Sequence, residues 1–210
     1  MVAGTDGGTD GGGVRPLADE PASWPVVEST DLHRDGWVMA YRADRLHRPD
    51  DPEVFRRFVL EHPGAVVVLA IDADDRVLVL RQYRHPVRRR LLELPAGLLD
   101  GVDEDPIDVA RRELREEAGF EADTWSPLLR AYSSPGISEE LIHYFLARDL
   151  REVGVGDFEQ RHEEADLVLE RVPFDDLLDA VLDGRTEDGP LAIAVLAHAV
   201  QRTRAAGGAP

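Results

Sequence analysis

An α+β fold, arranged as an α/β/α sandwich around a mixed sheet, is predicted for this 210-residue chain by three observations. Short apolar or alternating runs bounded by turn residues recur along it and read as strands. Four other stretches fit helices. The two kinds of element do not alternate strictly, as a doubly wound parallel sheet would require. With 43% apolar residues the chain can bury a sizeable core, and its length favours one globular domain with appendages.

Residues 1–20 are rich in Gly, Asp and Thr, with too few apolar groups to offset the entropy of ordering; residues 205–210 read the same way. Both are expected to be disordered tails. Between them, residues 21–60 form an N-terminal segment and residues 61–204 the main domain. Strands are predicted at Trp37–Ala43, Ala65–Ile71, Val77–Gln82, Leu91–Leu94, Pro127–Tyr132, Leu141–Ala147 and Leu167–Val172. "DADD" at 72–75, between two Val-rich runs, suggests a hairpin. Helices are predicted at Pro52–Glu61, Pro106–Ala118, Phe174–Leu182 and Leu191–Arg204. The polar stretch Val153–Ala165 lacks periodicity and reads as a mobile loop of the kind that often carries function.

Charge narrows the function classes. The 42 acidic residues outnumber 24 basic ones, for a net charge of -18, which argues against unaided electrostatic binding to nucleic acid or to an anionic membrane. An anionic substrate would need a local device such as a bound cation. With no cysteine, disulfides, thiolate zinc sites and cysteine nucleophiles are excluded. The N-terminus lacks the pattern of a signal peptide, and no apolar run reaches spanning length, so a cytoplasmic protein is expected.

The segment "LPAGLLDGVDEDPIDVARRELREEAGF", residues 94–120, holds the strongest chemical signal. Asp105 and Pro106 start a helix, the first by accepting free amide protons and the second by fitting the first turn; Gly119 stops it. Ile107, Ala110, Leu114 and Ala118 form an apolar stripe, and Glu113, Glu116 and Glu117 fan over an arc of roughly 100° beside it. A solvated acidic face is the plain alternative. Against it, Glu113 and Glu117 lie four apart with like charge, an arrangement that costs a helix about 0.2–0.5 kcal/mol. A divalent cation explains the pattern, because Mg²⁺ and Mn²⁺ take oxygen ligands and carboxylates one turn apart can converge on them. Zinc is disfavoured, since the helix has no histidine.

This segment resembles the Nudix box: Gly, five residues, Glu, seven residues, then Arg-Glu-apolar-x-Glu-Glu-x-Gly-apolar. Arg112, Glu113, Leu114, Glu116, Glu117, Gly119 and Phe120 match its second half, and Glu104 stands eight before Arg112. Gly97 departs, with six residues between it and Glu104. The resemblance implies a Nudix fold with a loop–helix–loop motif and hydrolysis of a nucleoside diphosphate linked to another moiety. It implies Mg²⁺ or Mn²⁺ held by Glu113, Glu116, Glu117 and the main-chain carbonyl of Ala96, with Arg112 orienting the carboxylates.

The phrases "HPGAVVVLA", "VLRQYRHPV", "LLELPAGLLD" and "SSPGISEE", with Pro135 fifteen residues beyond Phe120, resemble the ADP-ribose pyrophosphatase branch over roughly residues 34–175. That resemblance implies substrate contacts from Arg84, from the Pro-Gly turn at Gly136, and from Glu139 with Glu140 as the alternative. Arg56 and Arg57 are weaker candidates, and Trp37 or Tyr41 could stack on adenine or belong to the core. It further implies a general base on a late loop, Glu163 or Glu164, and a homodimer in which Asp31–Leu46 reaches across to its partner. The expected reaction is metal-dependent cleavage of ADP-ribose to AMP and ribose 5-phosphate. Three other readings stand beside it. One is a pyrophosphatase for another nucleoside diphosphate sugar. Another is a non-hydrolytic nucleotide sensor, which would lose the box glutamates and gain a DNA-binding helix pair. The third is an interaction module acting through its acidic surface.

Overall fold

The computed structural model describes residues 17–34, 39–99, 101, 103–155 and 167–207. Strands β1 (Val26–Arg34), β2 (Ala40–Arg48) and β3 (Asp51–Glu61) form an antiparallel sheet in that order. A four-stranded mixed sheet follows, built from β4 (Ala65–Ala70), β7 (Ala96–Leu98), β8 (Phe120–Tyr132) and β9 (Leu141–Glu152), in the order β7-β4-β9-β8. Here β4 and β9 run parallel and the outer pairs antiparallel. The third sheet has the order β10-β5-β6, from β5 (Arg76–Arg84), β6 (Arg89–Glu93) and β10 (Val168–Pro173). Among the described residues three helices complete the fold: α1 (Pro106–Ala118), α2 (Phe174–Leu182) and α3 (Gly189–Ala205).

Strand β4 is the middle of the sandwich. All six of its residues are buried, as an apolar run covered on both faces should be. Val66, Val68 and Ala70 pack with Val109, Ala110 and Leu114 of α1, while Val67 and Leu69 pack with Phe174, Leu177, Leu191 and Val195 of α2 and α3. Period-two alternation therefore sends alternate β4 side chains into two helix layers. The expected α+β class and α/β/α layering are observed. Among the described residues no helix is long and apolar enough to cross a membrane.

Three sequence-based expectations need correction. Pro52–Glu61 is strand β3, not a helix. Val54, Phe55, Phe58 and Val59 carry helical spacing, but they are also β-branched and aromatic, and pairing with β2 decides the matter. Phe58 stacks on Tyr41 at 5.6 Å between centroids, Phe55 meets Trp24 edge-on at 6.1 Å, and Arg56 and Arg57 lie over the rings of Phe58 and Phe55. Second, "DADD" makes a tight turn, with Asp72 N donating to Arg76 O at 2.9 Å, but a single bridge, Ile71 with Val77, joins the strands before they enter different sheets. Third, the run expected at Trp37–Ala43 is β2, displaced to Ala40–Arg48 because β1 and β3 pair with its two edges. Trp37 itself lies outside the described residues. The short strand β7 was not expected. Pro95, with no N–H to donate, separates it from β6 and so lets one apolar run serve two sheets.

Candidate active site

Local signals fix α1. Asp105 accepts the amide of Ile107 at 3.1 Å, Pro106 opens the first turn, and Gly119 closes the helix at φ 72°, where a side chain is disfavoured. Burial of Val109, Ala110, Leu114 and Ala118 against the sheet then sets the helix rotation. That rotation turns Glu113 and Glu117 toward β7. Glu117 Oε2 accepts the Ala96 amide at 2.9 Å. Glu113, 9% exposed, lies against Gly97 so closely that a Cβ there would stand 2.1 Å from its carboxylate. Arg112 Nη1 lies 2.8 Å from Glu113 Oε1 and 3.4 Å from Glu116 Oε2, so one guanidinium braces both carboxylates.

These groups border a cavity of about 670 Å³, which Ala96, Gly97, Glu113, Glu117 and Arg84 line together. Arg84, at the end of β5, forks onto Glu93 of β6 at 2.6 and 2.9 Å. Glu93 is buried, and its hydrogen bonds hold the Arg84 guanidinium firmly protonated. Two more acids line the cavity. Glu140 Oε1 lies 3.5 Å from His62 Nε2, and Asp188 caps α3 by accepting the Leu191 amide at 2.8 Å. Burial pushes the Asp188 carboxyl up to about 6, and the nearby Glu93 carboxylate adds to the rise.

Other predicted residues stand apart from this cavity. Glu139 pairs with Arg42 of β2 at 2.7 Å, in a network where Arg42 also binds Glu61 at 2.6 Å. Gly136 sits in the turn at 134–138, with nothing within 4 Å of where a Cβ would be. That turn docks on β3 through Leu60, whose amide donates to Ile137 O at 2.7 Å. Arg57 lies in the N-terminal sheet over Phe55. Glu104 is exposed, and Tyr41 is engaged with Phe58. Glu163 and Glu164 lie outside the described residues.

Sequence reasoning missed His62, Glu93 and Asp188. Glu93 stands inside a quoted motif phrase, and its place amid "LLELP" was a usable sign of a buried charge. Asp188 had only a helix-start signal, and His62, though it opens the phrase "HPGAVVVLA", had no sign of its own that it would face a cavity.

Among the described residues, no three His, Asp or Glu side chains converge as a ready metal cage. The donor chemistry nonetheless fits a hard divalent cation. Glu113 and Glu117 flank the Ala96–Gly97 backbone with oxygen ligands, Glu116 lies beside them through Arg112, and the chain has no thiol to compete.

Comparison with known proteins agrees with this geometry. The NUDIX domain model matches residues 61–192. The ADP-ribose pyrophosphatase of Mycobacterium tuberculosis is 42% identical over 176 residues, 83% of each chain. The methanol dehydrogenase activator of Bacillus methanolicus is 32% identical over 160 residues, 76% of this chain and 84% of its own. A crystal structure of an ADP compounds hydrolase superposes with a TM-score of 0.70 at 19% identity, covering 91% of this chain and all of the other, a likeness of fold. The family match spans well over half the chain and includes both strand β7 and helix α1, so the chain belongs to the Nudix family.

Proposed function

We propose that this Nudix hydrolase cleaves the pyrophosphate bond of ADP-ribose, giving AMP and ribose 5-phosphate. The observation that carries the reading is the joining of Glu113, Glu117, Ala96, Gly97 and Arg84 around one cavity, in a chain 42% identical to an ADP-ribose pyrophosphatase. Nudix hydrolases need divalent metal ions. For this chain we assign Mg²⁺ or Mn²⁺ to Glu113, Glu116, Glu117 and the Ala96 carbonyl; when bound, the ion would neutralise phosphate charge and acidify a water.

The chain's own groups divide the remaining work. Arg112 fixes the orientation of Glu113 and Glu116. Arg84 presents a planar fork to a phosphate, and Glu93 sets its direction. Glu163 or Glu164 receives the proton of the attacking water as general base. Glu139 and Gly136 contact substrate from the turn after β8, with Glu140 and His62 already on the cavity wall. Arg57 is the outlying member of this set.

A homodimer fits the N-terminal sheet. Every residue of β1 is exposed, and Trp24, Val26, Val27 and Leu32 offer apolar surface beyond the sandwich. In such a dimer the first strands would help complete the site. The charge of -18 supports a small-molecule substrate, with neither nucleic acid nor an anionic membrane as partner, and we assign the protein to the cytoplasm.

The test is product analysis. Wild-type protein with ADP-ribose and Mg²⁺ should release AMP and ribose 5-phosphate, and Glu113→Gln and Glu117→Gln should each lower turnover by orders of magnitude. Wild-type rates in both variants would overturn the metal assignment. Tight binding of ADP-ribose without turnover by the wild type would favour a sensor.

A further inference from the structure

The connection from β3 to β4, His62–Pro63–Gly64, brings a histidine to the wall of the catalytic cavity. Its ring is almost wholly covered, with 6% of the side chain exposed. Nδ1 accepts the Gly64 amide at 3.1 Å. A ring nitrogen that accepts an N–H carries no proton itself, so the ring's proton stands on Nε2. That nitrogen lies 3.5 Å from Glu140 Oε1. The turn behind the ring is tightly seated. Gly64 O accepts the Leu99 amide at 3.1 Å, and at φ 98° a Cβ on Gly64 would stand 3.0 Å from Leu141 O.

Glu140 is fixed from the same strand. Leu60 of β3 donates its amide to Ile137 O at 2.7 Å and accepts the Glu139 amide at 3.2 Å. Main-chain pairing therefore sets the spacing between His62, two residues beyond Leu60, and Glu140, one beyond Glu139. The Glu140 amide donates to Ser138 Oγ at 3.1 Å, and its O accepts the Ser133 amide at 3.1 Å. Glu139 spends its carboxylate on Arg42, whereas Glu140, 24% exposed on the cavity wall, has no arginine partner among the described residues. It retains acceptor capacity toward the cavity. An ionised carboxylate there repels phosphate and takes only hydrogen-bond donors. Arg84 and the carboxylates of α1 serve the phosphates, so the donors left to Glu140 on a nucleoside diphosphate sugar are hydroxyls.

Given the assignment of ADP-ribose as substrate, on which this step rests, we propose that His62 is a positioning residue whose Nε2–H steers Glu140 so that its carboxylate accepts a ribose hydroxyl. At 3.5 Å the contact is looser than a formed hydrogen bond, and it closes as the hydroxyl draws Glu140 into place. The end of the N-terminal sheet thereby acts on sugar recognition.

Two measurements on the full-length protein test this. The first needs no turnover: long-range ¹H–¹⁵N NMR correlations of the imidazole nitrogens should show His62 as the Nε2–H tautomer, with an Nε2 signal that moves in Glu140→Ala. The second is ADP-ribose kinetics with Mg²⁺. His62→Asn keeps an acceptor for Gly64 and loses the donor to Glu140; it should raise KM about tenfold while kcat falls much less. Glu140→Ala should do the same, and the double variant should lose little more than either single one. His62→Gln, whose amide reaches the Nε2 position, should recover most of the loss, which a merely structural histidine would not allow. An Nδ1–H ring, an Nε2 signal indifferent to Glu140→Ala, unchanged KM in His62→Asn, or additive losses in the double variant would each overturn the proposal. Absence of ADP-ribose turnover in the wild type would instead contradict the substrate assignment, and the NMR measurement would still decide the contact between His62 and Glu140.

Discussion

Gly97→Ala is the most discriminating substitution, because its effect on chemistry and its effect on stability should differ widely. The new Cβ would stand 2.1 Å from both Cδ and Oε1 of Glu113 and 2.5 Å from its Cγ. No pair of carbon and oxygen atoms tolerates that approach, so the Glu113 carboxylate must swing away. The obstacle is the end of a flexible side chain rather than backbone, so the fold can yield: a displaced rotamer costs about 0.5–1.5 kcal/mol. Loss of the 2.8 Å contact with Arg112 adds up to about 1 kcal/mol for a partly exposed pair. The total, about 0.5–2.5 kcal/mol, leaves a typical domain folded. Turnover, however, depends on where that carboxylate points, and displacement of about 1 Å at a catalytic centre can cost about a hundredfold. The assay is kcat and half-saturating Mg²⁺ for ADP-ribose hydrolysis beside urea unfolding, with Gly136→Ala as the control, since nothing lies within 4 Å of its Cβ position. Wild-type kcat and metal dependence in Gly97→Ala would refute the placement of Glu113 as a ligand.

Further expectations follow from the cavity's other charges. Arg84→Gln should lower kcat/KM and, by leaving the buried Glu93 carboxylate without its fork, destabilise the fold by about 1–3 kcal/mol; Arg84→Gln with Glu93→Gln should regain stability and not activity, as paired urea melts and kinetics would register. Asp188 is raised to about 6 in the folded protein from 3.8, so its ionisation opposes folding above about pH 6, and that penalty fades as pH falls toward 3.8. Asp188→Asn keeps a good cap and removes the charge; it should therefore stabilise the protein at pH 7.5, by at most roughly 3 kcal/mol, with the advantage shrinking at pH 5. Equal melting curves at both pH values would contradict this. Glu163→Gln and Glu164→Gln should separate the base from its neighbour, only one lowering kcat at unchanged metal affinity.

Legibility in the sequence followed the range of the interactions involved. Helix α1 was readable end to end, because Asp105, Pro106 and Gly119 act within a turn of themselves and its stripe has one period. The span Pro52–Glu61 was misread because Val54, Phe55, Phe58 and Val59 satisfy helical spacing, while the strand is stabilised by Tyr41 and Trp24 from elsewhere in the chain. The same contrast holds at the site. Glu113 and Glu117 declare themselves by spacing on one helix, and Arg84 by its motif. Glu93, Asp188 and His62 join the cavity only through sheet pairing, helix docking and the approach of the turn after β8, none of which a local pattern encodes. Between Glu139 and Glu140 the sequence leaves both open; folding pairs Glu139 with Arg42 beside the N-terminal sheet and sets Glu140 on the cavity wall, a difference that depends on contacts distant in sequence.

The most direct test of the central claim is kcat/KM for ADP-ribose beside ADP-glucose, GDP-mannose, NADH, diadenosine polyphosphates and dNTPs, each with Mg²⁺, with Mn²⁺ and with EDTA. The account predicts highest kcat/KM for ADP-ribose, activity with a divalent ion, and loss of it in EDTA. A clear preference for another compound would contradict the substrate assignment, and undiminished hydrolysis in EDTA would contradict the metal-centred mechanism itself.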